Sequence, residues 1–296
     1  MNNARKFLND MASYLSLPAV YVELRQLMGK PDATIDDYVA VIEKDSMLST
    51  RIILISNSQF FGFSRKTQNL HQAISLIGVI QLHDILLNCL CIRAFFAVPK
   101  QLINMKSFWE YSIHCGIASR VIAQHSLIES SHQFFTFGIL HEIGHAAMYV
   151  KVPEMSLQVL EAYREQNGSI TELEREVIGL DYSQLGAEIM ELWHLPPIYN
   201  QVAAHHLQPQ HASEEYREVL EIVHLAHIIC QTPVAGQHQQ LISSSIANHG
   251  HFAALPTNID EIILNNISTH GDSVLQILFP DNLRNFGFGN DQVVYG

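Results

Sequence analysis

Apolar residues recur along most of this chain at the spacing of a helix face. Ile35, Tyr38, Val39 and Ile42 fall at i, i+3, i+4 and i+7 and predict a short amphipathic helix. Leu48, Ile52 and Ile55 repeat the pattern behind Asp45 and Ser46, residue types that cap helix N-termini. The string from Asn57 to Gly62 breaks it as a loop, with Arg65 and Lys66 just beyond. A helix over 72–77 ends at Gly78, a natural C-cap, and a longer apolar one runs on to Val98, before Pro99. Two long helices are predicted over 108–125 and 134–149, the second stopped by Pro153. Thr171 and Glu174 read as a capping box that opens a short helix to Ile178. Others follow over 184–194, 198–207, 214–231 and 258–269, divided by Pro196, Pro197, Pro209 and Pro233. No segment alternates as a strand and no repeat is visible, so the predicted fold is all-α. The stretch after Pro280 reads as a loose tail.

Composition adds an unusual balance. The 17 histidines equal the 17 lysines and arginines, against 29 acidic residues, for a net charge of −12 with neutral His. The imbalance is local: after residue 175 only Arg217 and Arg284 stand against 13 acidic residues, and ten of the histidines lie there. So acidic a chain is a poor general binder of polyanions, which argues against direct nucleic-acid binding and against an anionic membrane surface. Hydrophobic residues make up 48% and charged residues 16%, the balance of a globular protein. Cys89, Cys91, Cys115 and Cys230 show no CxxC spacing and read as reduced thiols. Met1 to Leu17 lacks a signal-peptide core, and the most apolar stretch, 74–98, carries Gln81, His83, Asp84, Asn88 and Arg93. A cytoplasmic protein is expected.

One short string carries chemistry: His141-Glu142-Ile143-Gly144-His145. Taken literally it is HExxH, two imidazoles one helical turn apart with a general base between them. A zinc protease would also need a third ligand and a substrate-binding strand, and the pattern offers no strand. There is no GxSxG elbow and no phosphate-binding P-loop.

The wider series is more specific. Leu17-Pro18, Asp45 to Leu48, Asn57-Ser58, Phe60-Phe61-Gly62, Ala73-Ile74, Leu76 to Gly78, Phe108-Trp109 with Ser112, Gly138 to Gly144, Asp181-Tyr182, Leu185-Gly186, Trp193, Leu195-Pro196 and His205-His206 follow in that order. In this order the chain resembles the HDOD family, output domains of bacterial signalling related to the HD phosphohydrolases, from about Leu15 to Ala235. The resemblance implies an N-terminal helical subdomain (1–105) packed on an HD-like bundle (106–235), with a C-terminal helical extension and tail (236–296). It also implies four metal-ligand positions, which fall on Tyr111, His141, Glu142 and His227, and a lysine position that falls on His145. Only His141 keeps the residue of the HD enzymes. The resemblance therefore implies a regulatory, non-catalytic module with no cofactor and a signalling protein as partner. The competing reading is a metal-dependent phosphohydrolase with a substituted site, drawn from His141, Glu142, His145, His205, His206 and His227. Such a set suits Zn, Ni or Fe better than Mg. A third reading has a phosphate-bearing small molecule held there without cleavage. Phe60, Phe61, Arg65 and Lys66 are the candidate partner-facing residues.

Overall fold

In the computed structural model, residues 18–95, 104–126, 131–166, 168–231 and 250–279 are described, with isolated positions between them. The expected C-terminal tail and the stretch from Ala97 to Pro99 lie outside them. No strand occurs among the described residues. They form two compact units: one of residues 17–94 together with the chain from Asp272, the other of residues 95–271.

The first unit contains α1 (Ala19–Met28), α2 (Ile35–Ile42), α3 (Ser46–Ser56), α4 (Leu70–Ile77) and α5 (Val79–Ala94). Local chemistry sets most of its boundaries. Asp45 accepts the backbone N–H groups of Met47 and Leu48 at 3.1 Å, as its type predicts, and Gly78 closes α4 at φ 77°. Thr34 and Asp37 form a capping box on α2 that the apolar pattern alone does not mark. Arg51, adjacent in sequence to the candidate loop, is buried, and its guanidinium donates to the carbonyl of Leu278. Arg65 and Lys66, on the loop itself, are exposed.

The loop after α3 is clamped at both ends. Asn57 Nδ2 donates to the carbonyls of Ile53 and Thr67, and Asn57 Oδ1 accepts the Thr67 N–H, each at 2.9 Å. Phe60 is buried, meets Phe61 edge to face with centroids 5.1 Å apart, and leaves Phe61 half-buried. Asn57→Ala should cost about 1–2 kcal/mol, since the bonds it removes leave the Thr67 backbone unsatisfied. Hydrogen exchange read across residues 58–67 should accelerate in that variant, and unchanged protection there would refute the clamp.

The second unit is built on α6 (Met105–His125) and α7 (Gln133–Leu140), followed by α8 (Ile143–Lys151), α9 (Pro153–Gln166), α10 (Ile170–Val177), α11 (Tyr182–Leu192), α12 (Pro197–His205) and α13 (Glu214–Gln231). The last helix among the described residues, α14 (Ile259–Leu278), has residues in both units. α6 and α7 cross at van der Waals limits, because a Cβ on Gly138 would sit 2.5 Å from the Cys115 carbonyl oxygen. Phe108, Trp109, Phe137 and Tyr149 fill the core around that crossing.

Two sequence expectations change here. The helix predicted over 134–149 is two helices, interrupted at His141 and Glu142, where Glu142 takes φ −108° and ψ 23°. The Thr171–Glu174 capping box does not form: Ser169 is the N-cap, without a side-chain cap bond, and Glu174 is buried and employed elsewhere. Among the described residues no single helix is long and apolar enough to cross a membrane.

Candidate metal centre

The interruption between α7 and α8 creates the site. Successive residues of a continuous helix point about 100° apart, so His141 and Glu142 could not both face one point from an unbroken helix. With the ladder broken, they do. His141 Nδ1–H donates to the Gly138 carbonyl at 2.7 Å, which leaves the lone pair on Nε2, the inward nitrogen. His206, just past the end of α12, is oriented in the same way. Its Nδ1–H donates to the carbonyls of Val202 at 3.0 Å and Ala203 at 3.2 Å, and its Nε2 lies 2.9 Å from the Tyr182 hydroxyl. His227 enters from α13, with Nδ1 3.1 Å from His141 Nε2 and 2.9 Å from the Tyr111 hydroxyl.

His141, Glu142, His206 and His227 each offer one ligand atom, and these atoms all lie within 4.8 Å of one another. Glu142 Oε1 is 3.4 Å from His227 Nδ1 and 3.7 Å from His141 Nε2. Ligands about 2.1 Å from a tetrahedral ion are themselves about 3.4 Å apart, so these spacings suit a single ion. Three imidazole nitrogens and one carboxylate oxygen form a borderline-soft donor set. To ligate through Nδ1, His227 must carry its proton on Nε2, which faces the Gln231 amide nitrogen at 2.9 Å, so the Gln231 amide must turn over to accept it through its oxygen.

The electrostatics follow from burial and from one ion pair. Burial opposes ionisation of Glu142, yet a hydrogen bond from His145 and the nearby imidazoles outweigh it and hold the carboxyl well below the usual range. Burial favours the neutral form of His141 and pushes His206 well below its usual value and His227 down to about 3. His145 goes the other way. Burial disfavours its charge, but Glu174 and Glu142 raise it to about 10. Tyr111 is driven well above its ordinary value by burial, so it stands in the first ligand position as a neutral phenol.

Of the six predicted site histidines and glutamate, four converge. His145 does not face the group. It lies behind Glu142, with Nδ1 3.3 Å from Glu142 Oε2 and Nε2 2.9 Å from Glu174 Oε1, which removes the HExxH geometry of two imidazoles on one helix face. His205 is half-buried beside His206 and outside the group. Glu174 had no signal of its own in the sequence, where its spacing from Thr171 pointed to a cap instead. Phe60, Phe61, Arg65 and Lys66 lie on the clamped loop of the first unit.

The unit is all-helical among its described residues, and its buried His/Glu group could hold a metal; His141, Glu142 and His227 of that group, though not His206, stand where the resemblance implies ligands. The HDOD domain matches residues 15–209, and the chain belongs to the HDOD family. Among solved structures, it resembles an HDOD domain protein from Geobacter sulfurreducens (TM-score 0.73, 16% identity, covering 94% of this chain and 97% of that one). A protein from Shewanella amazonensis provisionally described as a phosphohydrolase is equally similar (TM-score 0.73, 19% identity, 92% and 98%). One from Marinobacter aquaeolei provisionally described as a signal transduction protein follows (TM-score 0.67, 14% identity, 93% and 66%). An uncharacterized protein of Treponema pallidum is 26% identical over 217 residues, which are 72% of this chain but only 41% of that relative's length.

Proposed function

We propose that this HDOD chain is a regulatory module that acts by binding a signalling partner and performs no catalysis of its own. The observation that carries the reading is that the HD-like site is closed by its own side chains. Tyr111, His141, Glu142, His206 and His227 are all buried, none more than 8% exposed. A phosphoester would have to bring its oxygens within bonding distance of an ion that these groups enclose. Three of the four HD ligand positions also carry other residue types, and a fold does not bring its parent's chemistry with it. The Marinobacter relative's description as a signal transduction protein supports the same reading. The clamped loop bearing Phe61, Arg65 and Lys66 is the proposed partner-facing element, and a cytoplasmic site of action goes with this proposal.

The convergence of four ligand atoms favours a second reading, a metal-dependent phosphohydrolase with a His-rich site for Zn, Ni or Fe. When bound, such an ion would polarise a phosphate and activate water. His141 and His206 would present Nε2, His227 Nδ1 and Glu142 Oε1. The two readings separate in one experiment on tag-free full-length chain, combining metal analysis with assays on phosphomonoester and phosphodiester substrates with added Zn, Fe or Mn. No steady turnover is expected. Turnover that disappears in His141→Ala would overturn the regulatory reading and establish the second.

A further inference from the structure

We propose that Glu174, outside the four-residue group, is a positioning residue for metal binding, acting through His145 on Glu142. The inference rests on the reading that the group takes a transition-metal ion, with or without hydrolysis. Glu174 sits on α10, 2% exposed, and its carboxylate is fixed from two sides. Oε2 accepts the Tyr182 N–H at 2.9 Å, while Oε1 lies 2.9 Å from His145 Nε2. The His145 ring is in turn stacked on Tyr182, with centroids 3.7 Å apart, and lies parallel to Tyr149 at 5.6 Å. Its other nitrogen, 3.3 Å from Glu142 Oε2, ties back one oxygen of that carboxylate. The remaining oxygen, Oε1, is then the one that meets His227 and His141.

His145 thus stands between two carboxylates, and its ring keeps its place against Glu142 Oε2 because Glu174 on one edge and Tyr182 on one face hold it there. Without Glu174 the His145 ring loses its contact at Nε2, Glu142 Oε2 loses its fixed partner, and Oε1 is no longer aimed at His141 and His227. Partners of this kind, one step behind the ligands, set orientation and affinity in metal sites, and losing them costs about 10–100-fold in metal affinity. The competing account is that the triad only fastens α8, α10 and α11 together. It predicts a loss of stability with no change at the metal.

Titration of chelator-treated full-length protein with Co(II), followed by its visible d–d absorption and by competition with Zn(II), distinguishes these accounts. Wild type should load about one equivalent, and His141→Ala should abolish the signal. Glu174→Gln keeps an acceptor for the Tyr182 N–H but removes the charge; its affinity should fall about 10–100-fold, with a changed Co(II) spectrum. If it binds with wild-type affinity and spectrum, whatever its melting temperature, Glu174 is purely structural and the inference falls while the metal reading stands. If wild type itself takes up neither ion, the metal reading falls and takes the inference with it. Should Glu174→Gln fail to fold, Glu174→Asp decides, since its retained charge but shortened reach should also weaken binding, and unchanged affinity would overturn the proposal.

Discussion

Gly144→Ala is expected to destabilise the protein by about 3 kcal/mol or more, against the usual direction of a glycine-to-alanine change within a helix. Helix propensity alone favours alanine by about 1 kcal/mol. Here the second residue of α8 crosses α11 with no room between them. A Cβ at 144 would stand 1.9 Å from the Tyr182 carbonyl oxygen and 2.9 Å from the Gly186 backbone nitrogen. Both obstacles are main chain, so no rotamer change relieves the clash and the helices must separate. Overpacking against side chains costs about 1–3 kcal/mol, and contact with rigid backbone lies at or beyond the upper end. Separation would also pull Tyr182 from the His145 ring it stacks on, so the loss should spread into the site. For a unit of this size the melting temperature should drop by roughly 6–12 °C. Urea unfolding of the variant checks it, and stability equal to wild type would mean the crossing is looser than described.

This glycine shows where sequence reasoning reaches its limit. Inside an HExxH string, Gly144 reads as a weakness in a metal-binding helix, because the pattern holds no trace of the neighbour 38 residues on that requires it. The boundaries that were legible depend on local chemistry. Asp45 caps α3 through its own backbone neighbours, and α13 spans Glu214–Gln231 as its period and flanking residues indicate. The break at His141 and Glu142 was not legible, since neither residue is a helix breaker and apolar positions run through it at helical spacing. The site was legible in part for the same reason. His141, Glu142 and His227 could be placed by the ordered family series, whereas the choice of His206 over His205 depends on how α12 ends. Glu174 shows the opposite failure. A plausible local use, capping with Thr171, was displaced by a long-range ion pair whose two members the fold alone brings together.

That ion pair and the imidazoles around it also predict how the metal-free protein should respond to pH. His141, His206 and His227 are held neutral, with folded-state values below the ordinary 6.5 and His227 at about 3. As pH falls below 6.5 the unfolded chain takes up protons that the folded one refuses, so the stability these groups contribute is present above that pH and lost below it. An imidazole that stays neutral in the folded state costs about 1.4 kcal/mol for each pH unit below 6.5, against a typical margin of about 5–15 kcal/mol. Glu142, held below its usual range, adds to the acid side once pH passes under the ordinary carboxylate value. His145 works in the opposite direction. Its folded value is raised to about 10, so its contribution is complete below 6.5 and is lost as pH rises through 10. Stability should therefore peak near pH 6.5 and fall on both sides, more steeply toward acid. Urea unfolding in EDTA at pH 5, 6.5, 8 and 9 traces the profile, and His145→Gln should flatten the alkaline limb while leaving the acid limb sloped. Equal stability at pH 5 and 6.5 would mean that the imidazoles take up protons in the folded state, which a closed cluster of neutral histidines does not allow.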